Sequence, residues 1–162
     1  MAIASNLEQL GYGLGCAPKG LHREVIQSVG ATRLLKPTES GALCLLDRAA
    51  GVVYTLPTPV LGMTFHFFAT VKRTTNAYKV ITNAATQFLV GAVISGDATV
   101  AQSGDIFEAD GSTIVAITCD GDSKGGFIGE SYSVTAISTT QWAITGIVIG
   151  TTNPMVTPFT TT

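Results

Sequence analysis

Few residues in this chain have the type and spacing that chemistry needs. Asp120-Gly121-Asp122-Ser123-Lys124-Gly125 starts as a calcium loop does, with carboxylates at positions 1 and 3 and a glycine at position 6. It then departs from that pattern. Lys124 puts a cation where an oxygen ligand belongs, and position 12 is Ser131, with Glu130 one residue out of register. The stretch reads as a polar hairpin loop closed by Gly125 and Gly126, and no metal or other cofactor is expected. Nucleophilic catalysis requires a Ser or Cys beside a His base and an orienting carboxylate. The chain has only His22 and His66. His66 alternates with Phe65 and Phe67, which reads as a packed or interface side chain. Asp47 with Asp97, Asp105 or Glu108 would form an acid/base pair only if the fold joined them, and nothing in the sequence does so. Cys16, Cys44 and Cys119 are odd in number and widely spaced; Cys44 and Cys119 lie among apolar neighbours as small hydrophobes, with nothing basic beside them to lower a thiol pKa. Gly11, Gly13 and Gly15 lack the preceding strand and following Lys-Ser/Thr of a phosphate cradle. The expectation is a protein that is not an enzyme.

The elements around these residues read as strands. Residues 42–47, 52–56 and 63–70 are three short apolar, β-branched or aromatic runs, separated by a turn ending at Gly51 and by Pro57-Thr58-Pro59 with Gly62. The reading is a β meander. Further strands are expected at 78–82, at 88–94 closed by Ser95-Gly96-Asp97, and at 106–108. Asp110-Gly111 reads as a tight hairpin turn into 113–119. Residues 132–137 and 142–149, joined by 138–141, are the clearest hairpin, with Trp142 as a core anchor. Regular spacing predicts one all-β domain over 37–150, an antiparallel β-sandwich of about eight to nine strands, jelly-roll-like. Residues 151–162 form an extended polar tail, with Met155 and Phe159 as its anchors.

Residues 1–36 differ in character and are expected to form an extended N-terminal arm. Gly11, Gly13, Gly15, Pro18 and Gly20 are too flexible for a packed helix, while Leu7, Leu10, Tyr12 and Leu14 are wasted on solvent. Those four are the candidate contacts through which the arm docks on a neighbour. Residues 21–29 fit a short amphipathic helix and a strand equally.

Composition points the same way. The net charge is −2 and 12% of residues are charged, against roughly 25% in an average protein. Lys72-Arg73 is the sole adjacent basic pair, so no nucleic-acid partner is expected. Mean hydropathy is +0.39, yet no apolar run approaches the roughly 18 residues of a membrane helix, so no membrane partner is expected either. A surface this apolar is expected to be hidden between subunits of a homo-oligomer, a trimer or a dimer. The start at Met1 has no secretory signal pattern, consistent with synthesis in a cytoplasm.

An aspartate in an apolar strand (Asp47), the Gly-x-x-x-x-Leu-Pro turn from Gly51 to Pro57, and Gly62 with Phe65, Phe67 and Phe68 together resemble small virion structural proteins of tailed bacteriophages. The resemblance continues through Tyr78-Lys79-Val80-Ile81, Gly91, Gly125-Gly126-x-x-Gly129 and Gln141-Trp142, and covers roughly residues 38–159. It implies a capsid decoration, or cement, protein. Such a protein would be made in the host bacterial cytoplasm, bind the phage major capsid protein and sit on the capsid outer surface. The alternative expectation is a head or tail fibre module binding host-surface carbohydrate, which requires exposed aromatics in polar surroundings. Most aromatics here fall in strands instead.

Overall fold

The computed structural model describes residues 23–99 and 104–162. Leu7, Leu10, Tyr12 and Leu14 lie outside the described residues, as do Cys16 and His22. Twelve strands follow one another among the described residues: β1 (Val25–Ile26), β2 (Thr32–Leu34), β3 (Leu43–Leu46), β4 (Val52–Thr55), β5 (Thr64–Ala69), β6 (Tyr78–Ile81), β7 (Phe88–Asp97), β8 (Ile106–Asp110), β9 (Ala116–Cys119), β10 (Ser131–Ala136), β11 (Gln141–Gly150) and β12 (Phe159–Thr160). They form an all-β sandwich. One sheet has seven strands in the order β1-β3-β5-β10-β11-β7-β8, and the other has five in the order β12-β9-β6-β4-β2.

From β1 to β7 each successive strand changes sheet. Odd strands build the larger sheet and even strands the smaller one, so β1, β3 and β5 lie parallel, as do β2, β4 and β6. Parallel neighbours need a crossover between them, and here each crossover is a strand of the opposite sheet. The expected meander over 42–70 is therefore corrected: β3 and β5 pair with each other, and β4 lies across the core. The turn at Gly51 is a corner, not a hairpin. It has φ 83°, and an added Cβ would stand 2.6 Å from the Asn76 carbonyl oxygen. The next corner stacks directly on it, the Thr74 amide donating to the Ala49 carbonyl at 2.7 Å and the Asn76 amide group to the Ala50 carbonyl at 3.1 Å.

The C-terminal half is closer to the expectation. β10 and β11 pair antiparallel from Ser131↔Ile147 to Ala136↔Trp142, as the hairpin reading requires. β11 then runs parallel to β7 over its whole length. The sheets are mixed rather than antiparallel throughout. Two local expectations also change. β7 continues through Ser95 and Gly96 to Asp97, and Asp110-Gly111 is another corner, since β8 lies in the larger sheet and β9 in the smaller. There the Asp110 carboxylate accepts the Ser112 and Thr113 amides at 2.9 and 2.8 Å, fastening the chain as it turns.

The sandwich begins earlier than residue 37. β1 and β2 are edge strands of the two sheets, and Ile26 and Leu35 are buried in the core. Arg33 pairs with the buried Glu39 carboxylate at 2.7 Å, which also accepts the Lys36 amide at 2.8 Å, tying β2 to the corner before β3. Of the stretch expected as helix or strand, Val25–Ile26 is a strand, and an edge strand this short exists only through its partner. At the other end, Met155 and Phe159 are buried as expected, and β12 adds a short strand against β9.

Aromatic rings fill the space between the sheets. Trp142 is fully buried 6.1 Å from Phe65, and Phe67 lies between Tyr54 at 5.7 Å and Tyr132 at 5.3 Å. Tyr54 and Tyr78 satisfy their hydroxyls by donating to the Leu45 and Val71 carbonyls at 2.9 and 2.8 Å.

Candidate functional site

Two places concentrate polar chemistry: a buried carboxyl at the head of β10 and the outer surface of the seven-stranded sheet. Glu130 is fully buried. Its Oε2 accepts the amides of Gly126 at 2.5 Å and Ile149 at 3.2 Å, and the Cys119 thiol also bonds to it. The Gly125-Gly126 pair makes this possible. A Cβ on Gly125 would stand 2.5 Å from Oε2, so only a glycine lets the loop close over the carboxyl. Burial is the dominant influence and pushes Glu130 up to about 7 despite these donors. Glu130 Oε1 and the Tyr132 hydroxyl, both buried, have no hydrogen-bond partner.

Sequence reasoning passed over Glu130, seeing only a misplaced calcium ligand. The usable signal was its phase: residue 130 alternates with the inward-facing Tyr132, Val134 and Ala136, which places its carboxyl in the core. The thiols are equally enclosed. Burial raises Cys44 to about 12 and Cys119 well above the ordinary thiol range, with Glu130 adding to the latter, so both behave as small hydrophobes as expected.

The loop that resembled a calcium site uses its carboxylates on itself. Asp120 accepts the Asp122 and Lys124 amides at 2.9 and 2.8 Å and the Ser123 hydroxyl at 2.7 Å. Burial opposes ionisation of Asp120, but these donors keep its pKa below the usual value. Asp122 turns away to the Thr152 and Thr151 hydroxyls at 2.6 and 2.8 Å, which lower its pKa in that order of strength. The two carboxylates therefore diverge. The loop is closed by the Gly121 amide on the Gly125 carbonyl, but it joins β9 to β10 across the sandwich and is a corner rather than a hairpin. Among the described residues no three His, Cys, Asp or Glu side chains are grouped to hold a metal.

His66 lies on the outer face of the larger sheet, in register with Leu43 on β3 and Ser133 on β10. A shallow groove of about 340 Å³ opens there, walled by Leu43, His66, Phe68, Ser133 and Thr145. Partial burial, with help from Arg23, lowers the His66 pKa, favouring the neutral ring. Among the described residues no carboxylate lines the groove. Asp47 accepts the Ser28 amide at the end of β3, four strands from Asp97 on β7. Glu108 on β8 is four strands from His66, about 19 Å at the usual strand spacing. None of the acid/base partners considered for Asp47 is brought to it.

Compared with protein-family models, curated proteins and solved structures, the chain matches none.

Proposed function

We propose that this chain is a virion structural protein that decorates the outer surface of a phage capsid and stabilises it by bridging major capsid protein subunits. It acts without catalysis and as a homo-oligomer. One observation carries the reading: surplus apolar side chains stand on the outside of a wide sheet, with Ile94, Ile106 and Ile147 each about half exposed or more, while the groove beside them gathers no reactive set. The resemblance to phage virion proteins supplies the partner, and Gly51 and Gly62 of that pattern, both with positive φ, sit at the corners that shape this sandwich. A bridging subunit adds interface that must break before the shell opens.

Leu7, Leu10, Tyr12 and Leu14 are the proposed capsid contacts. The test mixes full-length protein with capsids assembled from the major capsid protein encoded beside it and follows co-sedimentation. Binding at micromolar concentration is expected, weakened at least tenfold, about 1.4 kcal/mol, when Leu10 and Tyr12 are both changed to Asp. Absence of co-sedimentation refutes the decoration role, and unchanged binding by the double variant refutes the arm.

The fibre alternative draws on the groove, where Phe68 stands 39% exposed among Ser131, Ser133 and Thr145. Phe68 is the one exposed phenylalanine among the described residues, a narrow platform for a sugar ring, so this reading ranks second. Glycan-array binding lost in Phe68→Ala would reverse that order.

A further inference from the structure

The strand registers align the outward side chains of the larger sheet into rows that cross it. One row runs Ile106, Ile94, Ile147, Ser131, Phe68, Leu45 from β8 to β3. Its four large exposed members are 68%, 53%, 47% and 39% accessible for Ile106, Ile94, Ile147 and Phe68. The adjacent row runs Glu108, Ala92, Thr145, Ser133, His66, Leu43, Val25 and spans all seven strands. Its ends differ in charge. Glu108 is exposed at the β8 end; Arg23, two residues before Val25 and exposed, stands at the β1 end, near enough to act on His66.

We propose that this face is where two copies of the chain meet, related by a two-fold axis parallel to β10. β10 is the central strand of seven, so that axis sets β11 of one copy over β5 of the other, β7 over β3, and β8 over β1. Ile147 then faces Phe68 and Ile94 faces Leu45, each contact made twice, as an isologous interface requires. Glu108 falls over Val25 with Arg23 beside it, so opposite charges meet at both ends. On the axis itself lie Ser131 and Ser133, small enough to leave the groove of about 340 Å³ open to the partner's Ile147. Charge reversal between the two edges of one face is what selects a second copy as the occupant: the surface complements itself. A self-complementary face closes at two, which excludes a trimer through this surface. The inference rests on the homo-oligomer part of the proposed function and not on capsid binding.

Light scattering of the full chain at micromolar concentration tests it, with twice 16.8 kDa expected. Ile147→Asp, at an exposed position, should raise the dimer dissociation constant at least tenfold, with an unchanged thermal melt in dilute solution where both chains are monomeric. Glu108→Arg should weaken association and the added Arg23→Glu should restore it, a rescue that general destabilisation does not produce. A monomer or a trimer overturns the proposal and the monomer also sinks the homo-oligomer reading. A dimer indifferent to Ile147→Asp, or a charge swap without rescue, overturns this interface alone, with capsid co-sedimentation reporting separately on the decoration role.

Discussion

The sheet at β10 has two faces, and each carries an exception to the usual distribution of polarity. Its inward side carries Tyr132, Val134 and Ala136 in line with Glu130, so a carboxyl and a phenol are shut in the core. Its outward side carries Ser131, Ser133 and Thr135, flanked in register by Phe68 and Ile147, so apolar side chains face water. The contrast separates reactivity from access. The carboxyl whose pKa burial raises, Glu130, is sealed in the core, held by two backbone amides and a thiol. The accessible surface is chemically quiet but carries apolar area whose burial is favourable, at roughly 25 cal/mol per Å². Substitutions inside should therefore act on stability, and those outside on association.

The largest effect is expected from Trp142→Ala, which should lose about 3–5 kcal/mol in denaturant unfolding, as a fully buried ring leaves a cavity. A loss below 1 kcal/mol would mean the core does not close on that ring. Glu130→Ala should follow at about 2–4 kcal/mol, because it strands the buried Gly126 amide and the partly buried Ile149 amide, each costing about 1–3 kcal/mol when left unpaired.

Glu130 also sets a pH dependence whose sign follows from its raised folded pKa. The native state holds the proton more tightly than the unfolded chain, so the stabilisation is fully present below the unfolded value near 4.5 and is lost as pH rises to about 7. Chemical unfolding across that window should show stability falling by up to about 3 kcal/mol, then levelling off, on the scale of 1.36 kcal/mol per unit. Glu130→Gln should flatten this slope. A slope that persists in the Gln variant would assign the titration to another group.

On the outer side, Ile147→Asp should change the unfolding stability of the monomer, measured at dilution, by no more than about 0.5 kcal/mol, in keeping with an exposed site. A larger loss would show that this face belongs to the folded core and would erase the distinction between the two sides. The smallest effect is expected from calcium. Asp120 and Asp122 are already engaged by loop donors, so millimolar calcium should leave the melting temperature unchanged. A rise of several degrees, abolished in Asp120→Ala, would make the loop a site.

Most strands were legible because their period-2 patterns are local: the β10–β11 hairpin, the buried Trp142 and the inert Cys44 and Cys119 all follow from alternation alone. The corners were not. Five residues with a Gly, such as 47–51, suit a hairpin, but they also span the roughly 10 Å between packed sheets, and local sequence does not distinguish the two. The early start of the sandwich was hidden for a related reason. β1 and β2 have two and three residues, too few to show a pattern, and exist through their pairing with β3 and β4.

The sequence by itself determined that the chain is all β, that one face of most strands enters a core, and that its carboxylates, thiols and histidines are too scattered to suggest a reactive set. These depend on side-chain type and on neighbours one or two residues away. Tertiary structure alone decided that successive strands alternate between sheets, that Glu130 is sealed beneath Gly125 and Gly126, and that Ile106, Ile94, Ile147 and Phe68 fall into one row. Each of those depends on which distant strands pair and in what register. Pairing is set by the free energy of burying whole faces together, a quantity no single segment carries.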